Sequence, residues 1–494
     1  MALRISIGAG RGRLIQQMLI ESALLSVASC LFGVLLAAKA APVIVGMLST
    51  SQTVVRLDLR LDWRVLVFLT AAGSMTTLLF GLAPALRASA VSPNDALKSG
   101  SGRQTARIGL FRPLLAGQTA FSFVVLFVAG LFLASFAKLV RTDLGFDRNN
   151  LVVVDVEARD LRQGGEKTLA VWRQLLDRLG EVRGVESASL SAWGLFEGSA
   201  SSQSLRIPGR AVEAFAPYYL PVSPGFLQTM RIRLLDGRDF EWRDTQPEWP
   251  SAVIVNESFA RRYFPGESPL GKRFFYVAGR DTLVAQEIIG VARDAKYNRV
   301  RGAAPPTVYL PQLRLGSAAV QIRTHLEPGA LAALLRNELP RVHPAFRMTG
   351  VTLQSTLVDN TLVRERVLAL LSGFFSIVAI VLVAVGLYGV LSYGVVQRTR
   401  EIGIRLALGA RPMGVVRLVT SEIGLVTTIG LAVGLAGGIG SSRFITALLY
   451  EVSPSDIRSV AAPLVCLVLA CALSALLPAV RATRVDPITA LRYE

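Results

Sequence analysis

Val367-Leu-Ala-Leu-Leu-Ser-Gly-Phe-Phe-Ser-Ile-Val-Ala-Ile-Val-Leu-Val-Ala-Val-Gly-Leu-Tyr-Gly-Val-Leu-Ser-Tyr-Gly-Val-Val396 contains no charged residue. About 20 helical residues cross the hydrocarbon core of a bilayer, and about 30 residues at 1.5 Å each exceed it. The stretch predicts a transmembrane helix that tilts or projects beyond the membrane. Segments at approximately 14–38, 63–86, 113–137, 415–440 and 460–480 share its character, each bounded by charge. Of the 494 residues 52% are hydrophobic, and the mean hydropathy is +0.47, too apolar for an ordinary soluble protein. These segments predict an α-helical multi-pass membrane protein of about six transmembrane helices. The first segment starts too far into the chain for a signal peptide and shows no small-residue cleavage site.

Between the third and fourth segments lies a polar region, about 140–362, that reads as an α/β domain. Leu151–Val156, Ala252–Asn256 and Glu287–Val291 read as strands. Lys167–Leu179 and Pro328–Leu339 read as helices. Pro208-Gly209 and Asp236-Gly237 are turn signals. The size suits one domain with two lobes.

The formal charge of +18 could indicate nucleic-acid binding or positive-inside flanks. Its distribution decides. Arg87, Lys98, Arg103, Arg107 and Arg112 lie between the second and third segments. Arg398, Arg400, Arg405, Arg411 and Arg417 lie between the fourth and fifth, and Arg481, Arg484 and Arg492 follow the last. These short basic links are predicted to be cytoplasmic, which puts the large domain outside the cytoplasm and removes the case for nucleic acid.

The chain also repeats itself. Leu3-Arg-Ile-Ser-Ile-Gly-Ala9 aligns with Ile404-Arg-Leu-Ala-Leu-Gly-Ala410, and in the same register Glu21 meets Glu422 and Gly33 meets Gly434. After a length change, Asp62-Trp-Arg64 meets Asp456-Ile-Arg458, and Ala83-Pro-Ala-Leu-Arg-Ala88 meets Leu477-Pro-Ala-Val-Arg-Ala482. Val91-Ser-Pro-Asn-Asp-Ala-Leu97 meets Val485-Asp-Pro-Ile-Thr-Ala-Leu491. Matching polar, Gly and Pro positions in one register indicate duplication rather than chance likeness of apolar helices. Residues 1–97 match only the last part of the unit at about 113–494, so the first copy is partial. The expectation is a truncated duplicated protein, or one whose front half is a separate polypeptide.

At Arg398-Thr-Arg-Glu-Ile-Gly-Ile-Arg-Leu-Ala-Leu-Gly-Ala410 the pattern resembles the cytoplasmic link of MacB/FtsX-like ABC transporter permeases. The polar region resembles the MacB-type periplasmic core through Pro221-Val-Ser-Pro-Gly-Phe226, Leu235-Asp-Gly-Arg-Asp-Phe240 and Val255-Asn-Glu-Ser-Phe-Ala-Arg-Arg-Tyr-Phe-Pro265. Pro269-Leu-Gly-Lys272, Ile289-Gly-Val-Ala-Arg-Asp294 and Val308-Tyr-Leu-Pro311 continue the series. The resemblance divides the chain into a partial FtsX-like unit at 1–97, a cytoplasmic linker at 98–112 and a transmembrane helix at 113–137. An extracytoplasmic core domain at 138–362 and an FtsX-like permease domain at 363–494 follow, the latter with a coupling segment at 398–411.

The resemblance implies a permease of the inner, cytoplasmic membrane whose outer domain is moved by ATP hydrolysis, for export or extrusion. ATP is used by an ABC-type ATPase partner, and no cofactor is bound by this chain. Further implied partners are the missing or second permease half, membrane lipids and a periplasmic or outer-membrane component. ATPase coupling falls on Arg400, Glu401, Gly403, Arg405, Gly409 and Ala410, and a degenerate copy on Leu3, Arg4, Gly8 and Ala9.

Glu401–Leu408 can form about two helical turns that bury Ile402, Leu406 and a neighbour on one face. Glu401 and Arg405 stand at i,i+4, Gly409 stops the helix and Pro412 starts the next element. Glu21 and Glu422 are ionisable residues just inside membrane segments, expected to reach the headgroups or pair with an Arg. Gly434, Gly437 and Gly438 read as positions of close helix packing. Ser92-Pro93 and Asp486-Pro487 read as starts of short helices.

Catalytic chemistry is not indicated. No GxxxxGK[ST] occurs, and Gly8-Ala-Gly-Arg-Gly12 has neither the Lys-Ser/Thr nor a preceding strand. His325 and His343 stand apart from any HExxH pattern, and Cys30, Cys466 and Cys471 lie in apolar stretches without CxxC spacing, so no metal site is expected. Two other functions remain open at this level. One is a membrane sensor signalling through the basic segments, and the other an FtsX-like regulator of a cell-wall hydrolase.

Overall fold

The structure is a computed structural model and describes residues 11–48, 62–78, 104–158, 166–209, 216–246, 250–278, 282–311, 316–397, 399–408 and 412–483. Met1–Ala137 with Arg364–Glu494 form one compact unit, and Lys138–Val363 the other.

The first unit begins with α1 (Arg11–Leu48), α2 (Trp63–Thr77) and α3 (Gln104–Val140). Asp62, in extended backbone, starts α2 by accepting a hydrogen bond from the Arg64 N–H at 3.4 Å. α1 and α2 form a hairpin, in which Ser26 Oγ donates to the Gly73 carbonyl at 2.9 Å. Leu24, Leu31 and Leu35 of α1 are exposed, which suits a helix meeting lipid rather than water.

The second unit opens with β1 (Leu151–Ala158), α4 (Glu166–Gly180), β2 (Val185–Ser191), β3 (Ser201–Ser202), β4 (Leu205–Arg206) and β5 (Tyr218–Pro221). It continues through α5 (Phe226–Met230), β6 (Leu234–Gly237), β7 (Ser251–Asn256), α6 (Glu257–Tyr263), β8 (Arg273–Ala278) and β9 (Thr282–Ala292). β10 (Thr307–Leu310), β11 (Ser317–Thr324), α7 (Pro328–Val342), β12 (Phe346–Leu353) and α8 (Gln354–Asn360) complete it. The strands and helices named from the sequence between residues 140 and 362 lie on these elements, while the helix starts expected at Ser92-Pro93 and Asp486-Pro487 lie outside the described residues.

The two lobes are two sheets. One is antiparallel, in the order β12-β1-β11-β2. Trp172, Leu175 and Leu179 of α4 and Leu331, Leu335 and Leu339 of α7 pack against Val152, Val154 and Val156 of β1 and Val320 and Ile322 of β11. Both helices present one apolar stripe at helical spacing. The other sheet runs β3-β5-β10-β7-β9-β8-β4, with β6 on β9, and is mixed because β10 pairs β5 and β7 pairs β9 in parallel. Asn256 joins its parts. Its Oδ1 accepts from Phe259 N at 3.0 Å, capping α6, and from Thr307 N at 2.8 Å, while Nδ2 donates to the Pro305 carbonyl at 2.8 Å. At the turn after β6, Gly237 has φ 80° and lies against the Ile289 carbonyl, where a Cβ would overlap it.

Arg323 of β11 was not singled out in the sequence. Its side chain is 1% exposed. Nε donates to the Thr229 carbonyl at 2.8 Å, Nη1 to that of Asn149 at 2.7 Å and Nη2 to that of Asp147 at 2.8 Å. Burial, with the nearby Arg231, pulls the guanidinium below its usual range, and the Asp147 carboxylate, 3.6 Å away, opposes that. The residue satisfies three backbone acceptors that local structure leaves open.

The chain then returns to the first unit through α9 (Val363–Gln397), α10 (Thr399–Ala407), α11 (Pro412–Ile445) and α12 (Ile457–Thr483). Asp456 starts α12 by accepting from the Arg458 N–H at 3.3 Å, the same contact that Asp62 makes at the start of α2. Phe123, Phe127 and Leu131 of α3 pack with Ala379, Val383, Leu387 and Leu391 of α9 and Leu467 and Cys471 of α12. Gln118 Nε2 of α3 donates to the Leu382 carbonyl of α9 at 2.8 Å, a polar tie between apolar helices. Gly434 and Gly438 of α11 meet α3 closely, whereas a Cβ at Gly437 would make only ordinary contact, 3.5 Å from Val124.

Among the described residues five helical spans are long and apolar enough to cross a membrane: Ile15–Gly46, Pro113–Val140, Val363–Gln397, Gly424–Leu448 and Ile457–Thr483. The segment expected at 63–86 is described only to residue 78. The segment expected at 415–440 lies on α11, which carries the span Gly424–Leu448.

Candidate functional site

α10 occupies the link between two membrane helices and carries most of the residues expected to couple. Only residue 398 separates it from α9. Thr399 Oγ1 donates to the carbonyls of Val395 at 3.0 Å and Val396 at 2.9 Å, satisfying acceptors at the end of α9. Ile402 is completely buried and joins the core formed with Leu391 and Val395 of α9 and Ala482 of α12. Beside it Arg481 Nη1 of α12 donates to the Tyr388 hydroxyl of α9 at 2.8 Å. One side chain thus anchors α10 to the ends of two membrane helices.

The other side of α10 is open. Glu401 and Arg405 form an ion pair at 2.7 Å, each side chain half exposed. Ile404 is 42% exposed and Leu408 82%. Glu401, Ile404, Arg405 and Leu408 follow i, i+3, i+4, i+7, so they share one face. The sequence reading buried Ile402, Leu406 and a neighbour and did not assign Ile404 or Leu408 to a surface. Their spacing from Glu401 and Arg405 carried that signal. Gly403 is buried. Arg400 lies within α10, but its side chain, like those of Leu406 and Glu422, is outside the described residues, as are Gly409, Ala410, Leu3, Arg4, Gly8 and Ala9. Glu21 of α1 is exposed and accepts a hydrogen bond from Gln17 Nε2, one turn back, at 3.1 Å. The structure therefore gathers Glu401, Gly403 and Arg405 on one helix and leaves Glu21 on another.

In the second unit, Asp155 and Glu197 form a pair of carboxyl groups that act on each other. Asp155 of β1 is pushed up by burial, and the absence of a side chain at Gly350, its neighbour on β12, leaves room for it. Glu197 accepts from the Gly194 N–H at 2.7 Å. Burial and the charge of Asp155 nevertheless push its carboxyl up to about 7. His325 Nδ1 lies 3.3 Å from Asn150 Nδ2, and His343 Nδ1 accepts from Ala345 N at 3.2 Å. Both are polar partners in loops. The described residues hold no cluster of His, Cys, Asp and Glu fit for a metal.

A set of long apolar helices with one inserted two-sheet domain defines a multi-pass membrane protein with a periplasmic α/β domain. Residues 1–93 and 373–487 match the FtsX-like permease C-terminal family, and residues 119–342 the MacB-like periplasmic core domain. The chain belongs to the MacB/FtsX family of ABC-type permeases, and the double match agrees with the internal repeat. It is 26% identical over 277 residues to the macrolide export ATP-binding/permease protein MacB of Marinobacter nauticus, over 53% of this chain and 41% of that protein. It is 28% identical over 290 residues to MacB 1/2 of Paracoccus denitrificans, over 55% of this chain and 41% of that protein. The chain thus spans about two-fifths of the length of these curated relatives. A crystal structure of the periplasmic region of MacB from Actinobacillus actinomycetemcomitans matches at 16% identity and a TM-score of 0.30, over 44% of this chain and 95% of that one.

Proposed function

We propose that the chain is the permease subunit of an export machine, in which an ATPase on a separate polypeptide docks on the open face of α10. The link carrying α10 is then cytoplasmic and the membrane is the inner one. The observation that carries this reading is the division of α10 into a fully buried anchor, Ile402, and an open face of Glu401, Ile404, Arg405 and Leu408. A mixed charged and apolar face of this kind suits a protein partner better than lipid headgroups alone. Motion of the docked ATPase would reach α9 and α12 through Ile402, and α9 is the helix that follows the periplasmic domain in the chain. The curated relatives are named for macrolide export, which supports an exported cargo for this chain.

The test is purification of the tagged chain from native membranes, with the co-purifying ATPase measured by mass spectrometry. Exchanging the charges by Glu401→Arg with Arg405→Glu keeps a helical ion pair but reverses its pattern. At least a tenfold loss of the ATPase is expected. Undiminished recruitment would remove α10 as the docking surface.

A further inference from the structure

Residues 192–199 leave β2 of the antiparallel sheet and are bonded to both halves of the periplasmic domain. Toward the segment that follows β9 of the mixed sheet, Phe196 N donates to the Tyr297 carbonyl at 2.8 Å and Trp193 Nε1 to the Tyr297 hydroxyl at 2.8 Å. Asn298 Nδ2 of that segment donates to the Ser199 carbonyl at 3.0 Å. On the other side, Gln354 Nε2 at the start of α8 donates to the Leu195 carbonyl at 2.9 Å. Leu195 and Phe196 are buried. Between these ties lies a tight turn. Glu197 N donates to the Gly194 carbonyl at 3.4 Å, and the Glu197 carboxyl accepts back from Gly194 N at 2.7 Å.

The turn sits directly on β1. A Cβ on Gly194 would stand 2.5 Å from Glu197 Oε1 and 3.2 Å from Val153 Cγ1. Val153 and Asp155 share one face of β1, opposite to the face of Val152, Val154 and Val156 that the helices cover. Asp155 is therefore a second carboxyl on the side of the turn, and its charge is the one that acts on Glu197. The neighbouring charges are engaged elsewhere. Glu157 of β1 stands opposite Arg347 of β12, Arg323 of β11 serves three backbone carbonyls, and Asp359 of α8 pairs with Arg148. After β9, Lys296 donates to the Gly302 carbonyl, and burial pushes the Tyr297 hydroxyl up, so it stays neutral. Arg299 and Arg301 of that segment do not shift Glu197.

We propose that residues 192–199 form a proton-operated clasp between the two sheets, closed while Asp155 and Glu197 carry at most one negative charge between them and opened by their repulsion when both are ionised. Two neighbouring carboxylates in a partly buried place, with no cation among the described residues acting on Glu197, resist joint ionisation. Burial and the charge of Asp155 push Glu197 up to about 7, so the clasp works near neutral pH. The closed clasp keeps Leu195 and Phe196 out of water and ties the turn to Gln354 at the head of α8, the helix that leads to α9. Opening lifts the turn from β1 while β2 and β3, on either side of it, stay paired in their sheets. The clasp is independent of ATPase docking at α10.

The test is hydroxyl-radical footprinting of the full chain in lipid nanodiscs, read by mass spectrometry at Leu195 and Phe196. Phe259, fully buried in the core of the mixed sheet, is the internal control for general unfolding and for the pH dependence of the label. Between about pH 5.5 and about pH 8.5, modification of Leu195 and Phe196 relative to Phe259 is expected to rise about fivefold, with its midpoint near 7. Glu197→Gln keeps an acceptor for Gly194 N and should hold the modification low at every pH. Asp155→Asn removes the repelling charge and should at least halve the rise, which keeps the question decidable if Glu197→Gln does not fold. Modification that is flat with pH in the wild type, that rises equally at Phe259, or that rises undiminished in both variants would overturn the proposal.

Discussion

Gly434 of α11 faces Ala120 of α3 so closely that a Cβ would stand 2.8 Å from the Ala120 carbonyl oxygen. That oxygen is backbone, which cannot swing away as a side-chain tip can. Gly434→Ala is expected to separate the two helices and cost about 1–3 kcal/mol. Gly437→Ala, where the contact is an ordinary 3.5 Å, should be near neutral. Unfolding of the full chain in lipid nanodiscs would compare them. Equal stability of the two variants would mean that the close approach is not made.

Glu197 gives the periplasmic domain a pH dependence. Its carboxyl is pushed up to about 7 in the folded domain from an ordinary value of 4.5, so the folded state binds the extra proton between those values. The stability that this proton supplies is complete below about pH 4.5 and is lost as pH rises through 7, on the order of 3 kcal/mol. Glu197→Gln keeps an acceptor for the Gly194 N–H and should remove most of the dependence. Hydrogen exchange over residues 150–200 of the full chain at pH 5 and pH 8 reads it, and protection that rises with pH in the wild type would contradict the assignment.

Arg323 should be intolerant of change. Arg323→Met leaves the carbonyls of Thr229, Asn149 and Asp147 without their donor and is expected to cost about 3 kcal/mol or more. Arg323→Lys keeps the charge but not the three-way geometry, and should recover only part. The loss should appear as faster exchange at residues 147–150 and 226–231. An Arg323→Met domain with wild-type protection would show that water serves those acceptors equally well.

Ile402 separates anchoring from docking. Ile402→Ala is expected to cost about 2–4 kcal/mol of local stability by removing a fully buried side chain. Exchange across residues 399–407 should rise, while the Glu401–Arg405 face and its ATPase recruitment persist. Loss of recruitment with unchanged exchange would place Ile402 on the docking face instead.

What could be read from the sequence follows physical range. Val367–Val396 was legible because lipid demands unbroken apolar character, and Leu151–Val156 because an inner strand is covered on both faces. Lys167–Leu179 and Pro328–Leu339 showed their stripes within one helix. The division into two sheets was expressed only as lobes, since pairs such as Gln321 with Ser189 join residues far apart in sequence. Arg323 was missed because a charge in a strand gives no local sign that three backbone acceptors await it. On α10 the ion pair and the buried Ile402 were legible from helical spacing alone. That spacing did not separate buried from open apolar positions, which depends on where Val395 and Ala482 lie.

The pairing of β1 with β12 joins the two ends of the inserted domain. Val152, which follows α3 by a short loop, is opposite Leu353, which precedes α8 and then α9. Both chain crossings into the domain are therefore gathered at one rung of one ladder. The segment that leads into β1 is also fastened beside the far sheet, since Arg293 Nη2, just after β9, donates to Asp143 at 2.7 Å and Lys296 N donates to the Leu144 carbonyl at 2.8 Å. Entry to and exit from the domain are thus stitched together, and the entry segment is stitched to both sheets, so the connection between the inserted domain and the chain on either side is distributed over many bonds.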